Sequence, residues 1–148
     1  MLIGIHPLLS PDLLHALAAM GHGDEIVLAD ANFPAATIAR RLIPLDGVGT
    51  PRALAAVLSI LPLDTFVDEP VVVMAVTGRP KLVPPPVRDL NRVLAKAGAK
   101  PATAIDRHAF YARARDAFAV VRTGERRFYA NILLVKGAID ERDRVPKP

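Results

Sequence analysis

The sequence predicts an α/β domain in which helices cover a mixed β-sheet. Runs of consecutive apolar residues, such as residues 71–76, are typical of strands buried on both faces. They alternate with segments that have apolar residues at helical spacing and open with a capping residue and a proline, as at Ser10 and Pro11. Strands that alternate with helices indicate a layered α/β domain, and 148 residues suffice for one.

The first half of the chain begins with a helix. Ser10 is the expected N-cap, and Gly21 is expected to end the helix because glycine accepts the positive φ of a C-terminal cap. The continuous apolar residues 25–29 then predict a buried strand. Asp30 stands where that strand ends, and residues 32–34 carry a turn signal.

The remaining elements follow the same alternation. A short apolar piece up to residue 47 leads to Thr50, the expected cap of the second helix, and Gly98 is expected to close the third. A short connection separates the last two strands, so we expect them to pair antiparallel and to make the sheet mixed. Helices are expected at residues 53–61, 87–97 and 107–117, and strands at residues 71–76, 102–105, 119–123 and 131–136.

Composition excludes several classes of protein. The chain has no cysteine, which rules out disulfide scaffolds, thiolate zinc sites and cysteine nucleophiles. We expect one domain over residues 1–140 and a polar tail at residues 141–148. Neither a signal peptide nor an apolar run long enough for a bilayer is evident, so we expect a cytoplasmic protein without a membrane partner.

Positive charge is concentrated late in the chain. Residues 1–106 hold 9 Lys/Arg and 10 Asp/Glu, whereas residues 107–148 hold 10 and 5. Such asymmetry can mark a nucleic-acid interface. The alternative is a solvated or subunit-facing basic surface, which we prefer because no aromatic residues interleave a basic run to stack bases. We therefore expect no nucleic-acid partner.

The familiar catalytic fingerprints are absent from the sequence. It contains no GxGxxG, GxxxxGK[ST], GxSxG or HExxH motif. None of the four histidines makes a close pair with another histidine, so no metal site is expected. These absences argue against a dinucleotide-binding protein, a phosphate-loop NTPase and a hydrolase with a nucleophile elbow.

His22 is the first candidate catalytic residue. It lies in the turn Gly-His-Gly-Asp between a helix and a buried strand, where the flanking glycines allow a ligand to approach the backbone closely. Histidine exchanges protons near neutral pH, and Asp24 or Glu25 is expected to orient it. The alternative is a turn residue that only caps the helix.

Other polar residues stand at the ends of predicted strands. Asp30 is placed where open α/β sheets bind ligands, although it would equally suit an Asx turn. Tyr129 and Asn131 are two apart, so they should face the same way in an extended chain and could recognise hydroxyl groups, or simply pack at a strand edge. Arg107 opens a helix and either binds hydroxyls or lies on the surface.

Three blocks of sequence carry a resemblance. They are HPLLSPDLLHALAAMGHGDEIVLADANFPA near the start, IDRHAFYARARDAFAVVRTGER in the later half, and YANILLVKG near the end. Together they resemble the D-ribose pyranase and L-fucose mutarotase family of sugar-processing proteins over nearly the whole chain. The resemblance implies a three-layer α/β/α domain with a mixed, mainly parallel sheet, and an enzyme that interconverts sugar anomers without a cofactor.

The resemblance also implies residue roles and an assembly. His22 matches the family's proton donor, and the substrate-binding positions match Asp30, Arg107, Tyr129, Ala130 and Asn131. Family members form rings, often decamers, with sites at or near subunit boundaries. The block around residue 107 resembles the fucose branch, which makes L-fucose the expected sugar. His108 departs from that branch, so ribose pyranose/furanose interconversion stays an alternative, as does sugar binding without catalysis.

Overall fold

The computed structural model describes residues 2–140. Five helices and six strands follow one another along this part of the chain. The predicted tail, residues 141–148, lies outside the described residues. The helices are α1 (Pro11–Ala19), α2 (Ala35–Ile38), α3 (Thr50–Leu58), α4 (Pro85–Lys96) and α5 (Arg107–Asp116), and the strands are β1 (Glu25–Ala29), β2 (Leu42–Leu45), β3 (Val71–Met74), β4 (Thr103–Ile105), β5 (Ala119–Thr123) and β6 (Ile132–Val135).

Helix α1 begins as predicted but ends differently. The Ser10 hydroxyl accepts the N–H of Leu13 at 3.3 Å, which makes Ser10 the N-cap. At the other end, Met20 is the C-cap and turns the chain into an extended conformation. The prediction that Gly21 ends the helix through positive φ was therefore wrong. The left-handed backbone comes later in the turn, at Gly23, where φ is 84°.

Helix α3 corrects a second prediction about helix ends. Its N-cap is Gly49, and Thr50 is the first helical residue rather than the cap. The Thr50 hydroxyl is buried and lies 3.0 Å from that of Thr123 on β5. Thr50 therefore ties the start of the helix to the sheet instead of satisfying its own backbone. The short elements α2 and β2 were not anticipated as a helix and a strand.

The six strands form one sheet in the order β2-β5-β1-β6-β3-β4. The pairs β2–β5, β5–β1 and β3–β4 are parallel, while β6 is antiparallel to both β1 and β3. The expectation of a mixed, mainly parallel sheet is confirmed. The stated reason was wrong, because β5 and β6 do not form a hairpin. Strand β1 lies between them.

Apolar side chains pack on both faces of the sheet. Along β1, Ile26 and Leu28 belong to one core cluster, and Val27 and Ala29 belong to the other. The first cluster includes buried residues of α1, α3 and α4, and the second includes those of α2 and α5. Helices therefore cover both faces, which confirms the three-layer α/β/α architecture and explains why β1 is apolar without alternation.

The helices within residues 2–140 are short. The longest helix, α4, has 12 residues. Among residues 2–140, no helix is both long and apolar enough to cross a membrane.

Candidate functional site

A cavity opens at the edge of the sheet where β1, β3 and β4 end and β6 begins. Its volume is about 350 Å³. Because β6 is antiparallel to β1 and β3, the residues just before β6 lie at the same sheet edge as the residues that follow β1, β3 and β4. This edge of a sheet is where open α/β folds bind ligands. The cavity is lined by Asp30, Asn32, Phe33, Met74, Thr77, Arg107, Tyr111, Phe128, Tyr129 and Asn131.

Asp30 and Asn131 form a reciprocal pair at the base of the cavity. The backbone N–H of Asp30 donates to Asn131 Oδ1 at 2.8 Å, and Asn131 Nδ2 donates to Asp30 Oδ2 at 2.9 Å. Asp30 Oδ1 also accepts the N–H of Asn32 at 2.9 Å. Both Asp30 and Asn131 are buried. Two residues 101 positions apart thereby hold each other in one orientation.

Burial changes the electrostatics of Asp30. Loss of hydration raises the pKa of its carboxyl group above the usual range, against the hydrogen bonds that lower it, of which the Asn32 N–H is the largest. The Asn131 amide and the backbone of Ala130 also lower it. A carboxyl group of this kind, fixed in place and poorly hydrated, is suited to accept hydrogen bonds from ligand hydroxyls.

The segment before β6 has a strained backbone. Tyr129 has a φ of 64°, the one positive value at a residue other than glycine within residues 2–140. Its hydroxyl accepts the N–H of Thr77 at 3.4 Å. The expectation that an extended chain would align Tyr129 with Asn131 was wrong in its geometry, yet both side chains line the cavity. Ala130 is fully buried between them.

Arg107 is the first residue of α5 and lines the same cavity. Asp106 caps this helix by accepting the N–H of His108 at 2.8 Å. The guanidinium carbon of Arg107 lies 5.5 Å from the centre of the Tyr111 ring. Arg107 is thus an exposed lining residue of the cavity, and the Tyr111 ring beside it lines the cavity as well. His108 borders a neighbouring depression and does not line this cavity.

Arg127 fastens the loop that carries Tyr129. Its Nε and Nη2 donate to Oε1 and Oε2 of Glu125 at 3.0 and 2.9 Å, and its Nη1 donates to Asp89 of α4 at 2.7 Å. The Arg127 guanidinium is the largest influence that holds the pKa of Glu125 below its usual range. The loop between β5 and β6 is therefore tied both to itself and to α4.

His22 lies at the other end of the sheet. β1 has five residues between the two sites and rises about 3.3 Å per residue, which separates the strand ends by about 17 Å. Within one chain the structure therefore does not bring His22 to Asp30. Of the five predicted substrate-binding residues, Asp30, Arg107, Tyr129 and Asn131 line one cavity, whereas Ala130 is buried and is not among its lining residues.

The partner of His22 differs from the expected one. Asp24 accepts the N–H of Gly21 at 2.7 Å, and Glu25 pairs with Arg113. The imidazole instead lies beside Asp64, with 3.1 Å between His22 Nε2 and Asp64 Oδ2. The expectation that Asp24 or Glu25 orients His22 was wrong, because both carboxylates are engaged elsewhere.

Several site residues escaped the sequence analysis. Asp64 lies 42 residues from His22 in a loop before β3, and no local pattern links the two. The aromatic residues that line the cavity, Phe33, Tyr111 and Phe128, were also missed, although Phe33 and Tyr111 fall inside the quoted sequence blocks. Within residues 2–140, no group of three His, Cys, Asp or Glu side chains is placed to hold a metal ion.

Comparison with known proteins gives consistent results. Residues 3–139 match the model of the RbsD / FucU transport protein family. The chain is 50% identical over 143 residues to the fucose mutarotase of Homo sapiens, covering 92% of this chain and 93% of that one. A crystal structure of the fucose mutarotase from Streptococcus pneumoniae in complex with L-fucose matches with a TM-score of 0.87 and 42% identity, over 94% of this chain and 100% of that one. Bacillus subtilis RbsD complexed with D-ribose matches with a TM-score of 0.72 and 26% identity, over 91% and 98%.

Proposed function

Because the chain belongs to the RbsD / FucU family, we propose that it is a mutarotase that interconverts the α and β anomers of L-fucose. One observation carries the proposal: Asp30, Arg107, Tyr129 and Asn131 line a single cavity of about 350 Å³. The cavity is lined by both hydrogen-bonding groups and aromatic rings, and this combination suits a monosaccharide, which has both hydroxyl groups and an apolar face.

The reaction needs only proton transfers. The ring oxygen gains a proton while the anomeric hydroxyl loses one, the C1–O bond to the ring oxygen breaks, and an open-chain aldehyde forms. Rotation about C1–C2 and closure on the other face of the carbonyl give the second anomer. Acid–base assistance is typically worth about 10²–10⁴-fold, which suits a reaction that proceeds slowly in water.

Each cavity residue has its own proposed contact with the sugar. The poorly hydrated carboxyl of Asp30 accepts hydrogen bonds from sugar hydroxyls, and Asn131 keeps that carboxyl in position. The Arg107 guanidinium and the Tyr129 hydroxyl bind further hydroxyls, while Tyr111 packs against the C–H face of the ring. Ala130 contributes its backbone. His22 transfers the proton at the ring oxygen.

We further propose that His22 reaches the cavity from a second copy of the chain. Three features support this idea: the separation of about 17 Å between the ends of β1, the 47% exposure of the His22 side chain, and the exposed rings of Phe66 and Phe128. Phe66 lies beside His22, and Phe128 lines the cavity, so both would be covered by a neighbour. A closed ring, a decamer on the family's model, would complete every site, and we keep the cytoplasm as its proposed location.

The proposed preference for L-fucose over D-ribose rests on the greater similarity of the chain to the fucose-bound structure than to the ribose-bound one. Identity is 42% with the fucose-bound structure and 26% with the ribose-bound one, and the TM-scores fall in the same order. His108, which stands beside Arg107, is the observation that favours ribose pyranose/furanose interconversion as the second candidate. A sugar-binding protein without catalysis would saturate with ligand but leave anomer exchange unchanged.

Exchange NMR with L-fucose and D-ribose, with and without protein, tests the function. The protein should accelerate exchange between the α and β signals of L-fucose more than exchange in ribose. His22→Gln should lose about 10²–10⁴-fold in rate, whereas His15→Gln, which removes an exposed imidazole of α1, should keep the wild-type rate. Wild-type exchange rates in His22→Gln would refute the role of His22.

Complementation tests the shared site. His22→Gln and Arg107→Ala damage the two halves of the proposed site, so rings co-assembled from both variants should contain about a quarter of their sites intact. Activity should return in co-expressed rings but not when separately assembled variants are mixed. Failure to recover any activity in verified mixed rings would place His22 and Arg107 in the same subunit's site or outside it.

A further inference from the structure

Asp64 is a buried carboxylate that contacts His22 and has no role in the cavity. We propose that Asp64 is a positioning residue that fixes the orientation and tautomer of His22, so that Nδ1 is the atom that exchanges the proton with the sugar. This inference rests on the proposed function and specifies which atom of His22 performs it. It concerns a side chain that lies on a different loop from His22.

The carboxylate of Asp64 is held firmly in place. Its side chain is 2% exposed, and its Oδ1 accepts the backbone N–H of Phe66 at 2.8 Å. The backbone N–H of Asp64 donates to Val135 O, at the end of β6, at 3.0 Å. The remaining oxygen, Oδ2, lies 3.1 Å from Nε2 of His22. Asp64 therefore presents one fixed acceptor to the imidazole.

The charge state of Asp64 decides which ring nitrogen carries the proton. The Phe66 N–H is the largest of the influences that lower the pKa of Asp64, and His22 adds to it. An ionised carboxylate can only accept hydrogen bonds, so Nε2 must donate. In the neutral imidazole, Nδ1 then carries the free lone pair that can take up a proton.

The surroundings of His22 leave Nδ1 available. Of the two ring nitrogens of His22, Nε2 is the one with a hydrogen-bond partner among residues 2–140. The imidazole meets the Phe66 ring edge-on at a centroid distance of 5.5 Å, and the side chain is 47% exposed. Phe66 therefore packs against the imidazole, and Nδ1 has no hydrogen-bond partner among residues 2–140.

The other charged groups near this turn do not compete for the imidazole. Asp24 accepts the Gly21 N–H, and the Lys136 ammonium donates to the Leu17 carbonyl at the end of α1. A groove beside Asp64 is lined by four further charged residues. Two of them, Glu25 and Arg113, form an ion pair, and the other two are the exposed acids Asp68 and Glu69. Asp68 lies in the same loop as Asp64, which makes Asp68→Asn a matched control for loss of one negative charge.

The test combines tautomer measurement with kinetics. Histidine-selective ¹⁵N labelling of the assembled protein reports the protonated nitrogen of each neutral imidazole, and His22→Gln assigns the His22 signals. Wild-type His22 should be the Nε2–H tautomer. Asp64→Asn keeps the shape but lets an amide N–H face Nε2, so the Nε2–H population should fall, with a loss of about 10–100-fold in kcat and little change in KM for L-fucose.

The outcomes separate this inference from the proposed function. Asp68→Asn should match wild type in both measurements, and Asp64→Glu should recover part of the Nε2–H population and of kcat. An Nδ1–H tautomer in wild type, or an Asp64→Asn protein with wild-type tautomer and kcat, would overturn the inference alone. Wild-type activity in His22→Gln would instead overturn the role of His22 itself, whatever tautomer is found.

Discussion

Replacing Arg127 by methionine is expected to loosen the loop that carries Tyr129. The change keeps a long aliphatic side chain but removes the two hydrogen bonds to Glu125 and the one to Asp89. The Glu125 side chain is only 9% exposed, so its carboxylate would lose its compensating charge in a poorly hydrated place. The loop would then no longer be tied to α4.

The magnitude follows from the Glu125 contacts. Hydrogen bonds to a charged group are worth about 1.5–3 kcal/mol, but Arg127 is 45% exposed and solvent screening reduces the value. We therefore expect a loss of about 1–2 kcal/mol in the free energy of unfolding, which lowers Tm by about 2–8 °C for a chain of this size. If the same substitution also weakens sugar binding by about 1 kcal/mol, KM rises about fivefold.

The dependence on pH provides a second signature. The pKa of Glu125 is lowered in the folded protein, chiefly by Arg127, so this contribution to stability is present above the unfolded pKa of Glu, about 4.3. It is lost as the pH falls through the lowered pKa of the folded state. The difference in stability between wild type and Arg127→Met should therefore be full at neutral pH and shrink in acid.

Thermal unfolding at fixed protomer concentration and exchange NMR of L-fucose measure both effects. Arg126→Met is the matched control, because Arg126 is the exposed neighbour in the same loop. It should leave Tm and KM close to wild type. If Arg127→Met also matched Arg126→Met in Tm and KM, the proposed role of the Arg127 contacts would be refuted.

Three further predictions concern the core and the strand ends. A Cβ at Gly137 would lie 2.5 Å from the carbonyl oxygen of Leu63, so Gly137→Ala should displace the loop of Asp64 and lower both Tm and kcat in the exchange assay. Phe110 is fully buried and its ring contacts that of Phe33, so Phe110→Ala should cost about 3–5 kcal/mol in denaturant unfolding; a loss under 1 kcal/mol would contradict its place in the core. Tyr129→Phe removes the hydroxyl that accepts the Thr77 N–H, and should lower kcat/KM for L-fucose with an unchanged Tm; an unchanged kcat/KM would remove the hydroxyl from the mechanism.

The sequence predicts best the elements whose signals are local. The bounds of β1 agree with residues 25–29 because its burial on both faces produces an uninterrupted apolar run. The start of α1 was identified from Ser10 because a serine before a proline forms a cap through its own side chain. β2 was missed because Pro44 stands within it, and proline argues against a strand. β2 can contain the proline because it is an edge strand, where one missing backbone N–H need not break the pairing.

The arrangement of the site depends on contacts that are distant in sequence. The pairing of Asp30 with Asn131 spans 101 residues, and that of His22 with Asp64 spans 42, so neither leaves a local pattern. Residue chemistry nevertheless selected four of the residues that line the cavity. The separation of His22 from Asp30 was already implicit in the sequence, because a five-residue strand must place its two ends at opposite edges of a sheet.

β6 connects the sheet edge that carries the cavity to the edge that carries the His22 turn, and its number of residues sets the distance between them. The chain just before it supplies Asn131 to the cavity, and just after it the Lys136 carbonyl accepts the N–H of Gly23 at 2.8 Å in the turn that holds His22. Inserting or deleting one residue in β6 would reverse which side chains face each layer and would shift one of these two ends. The length of the segment from residue 131 to residue 136 thus sets the distance between the cavity and the turn that holds His22. Insertions and deletions among related sequences should therefore fall in other parts of the chain.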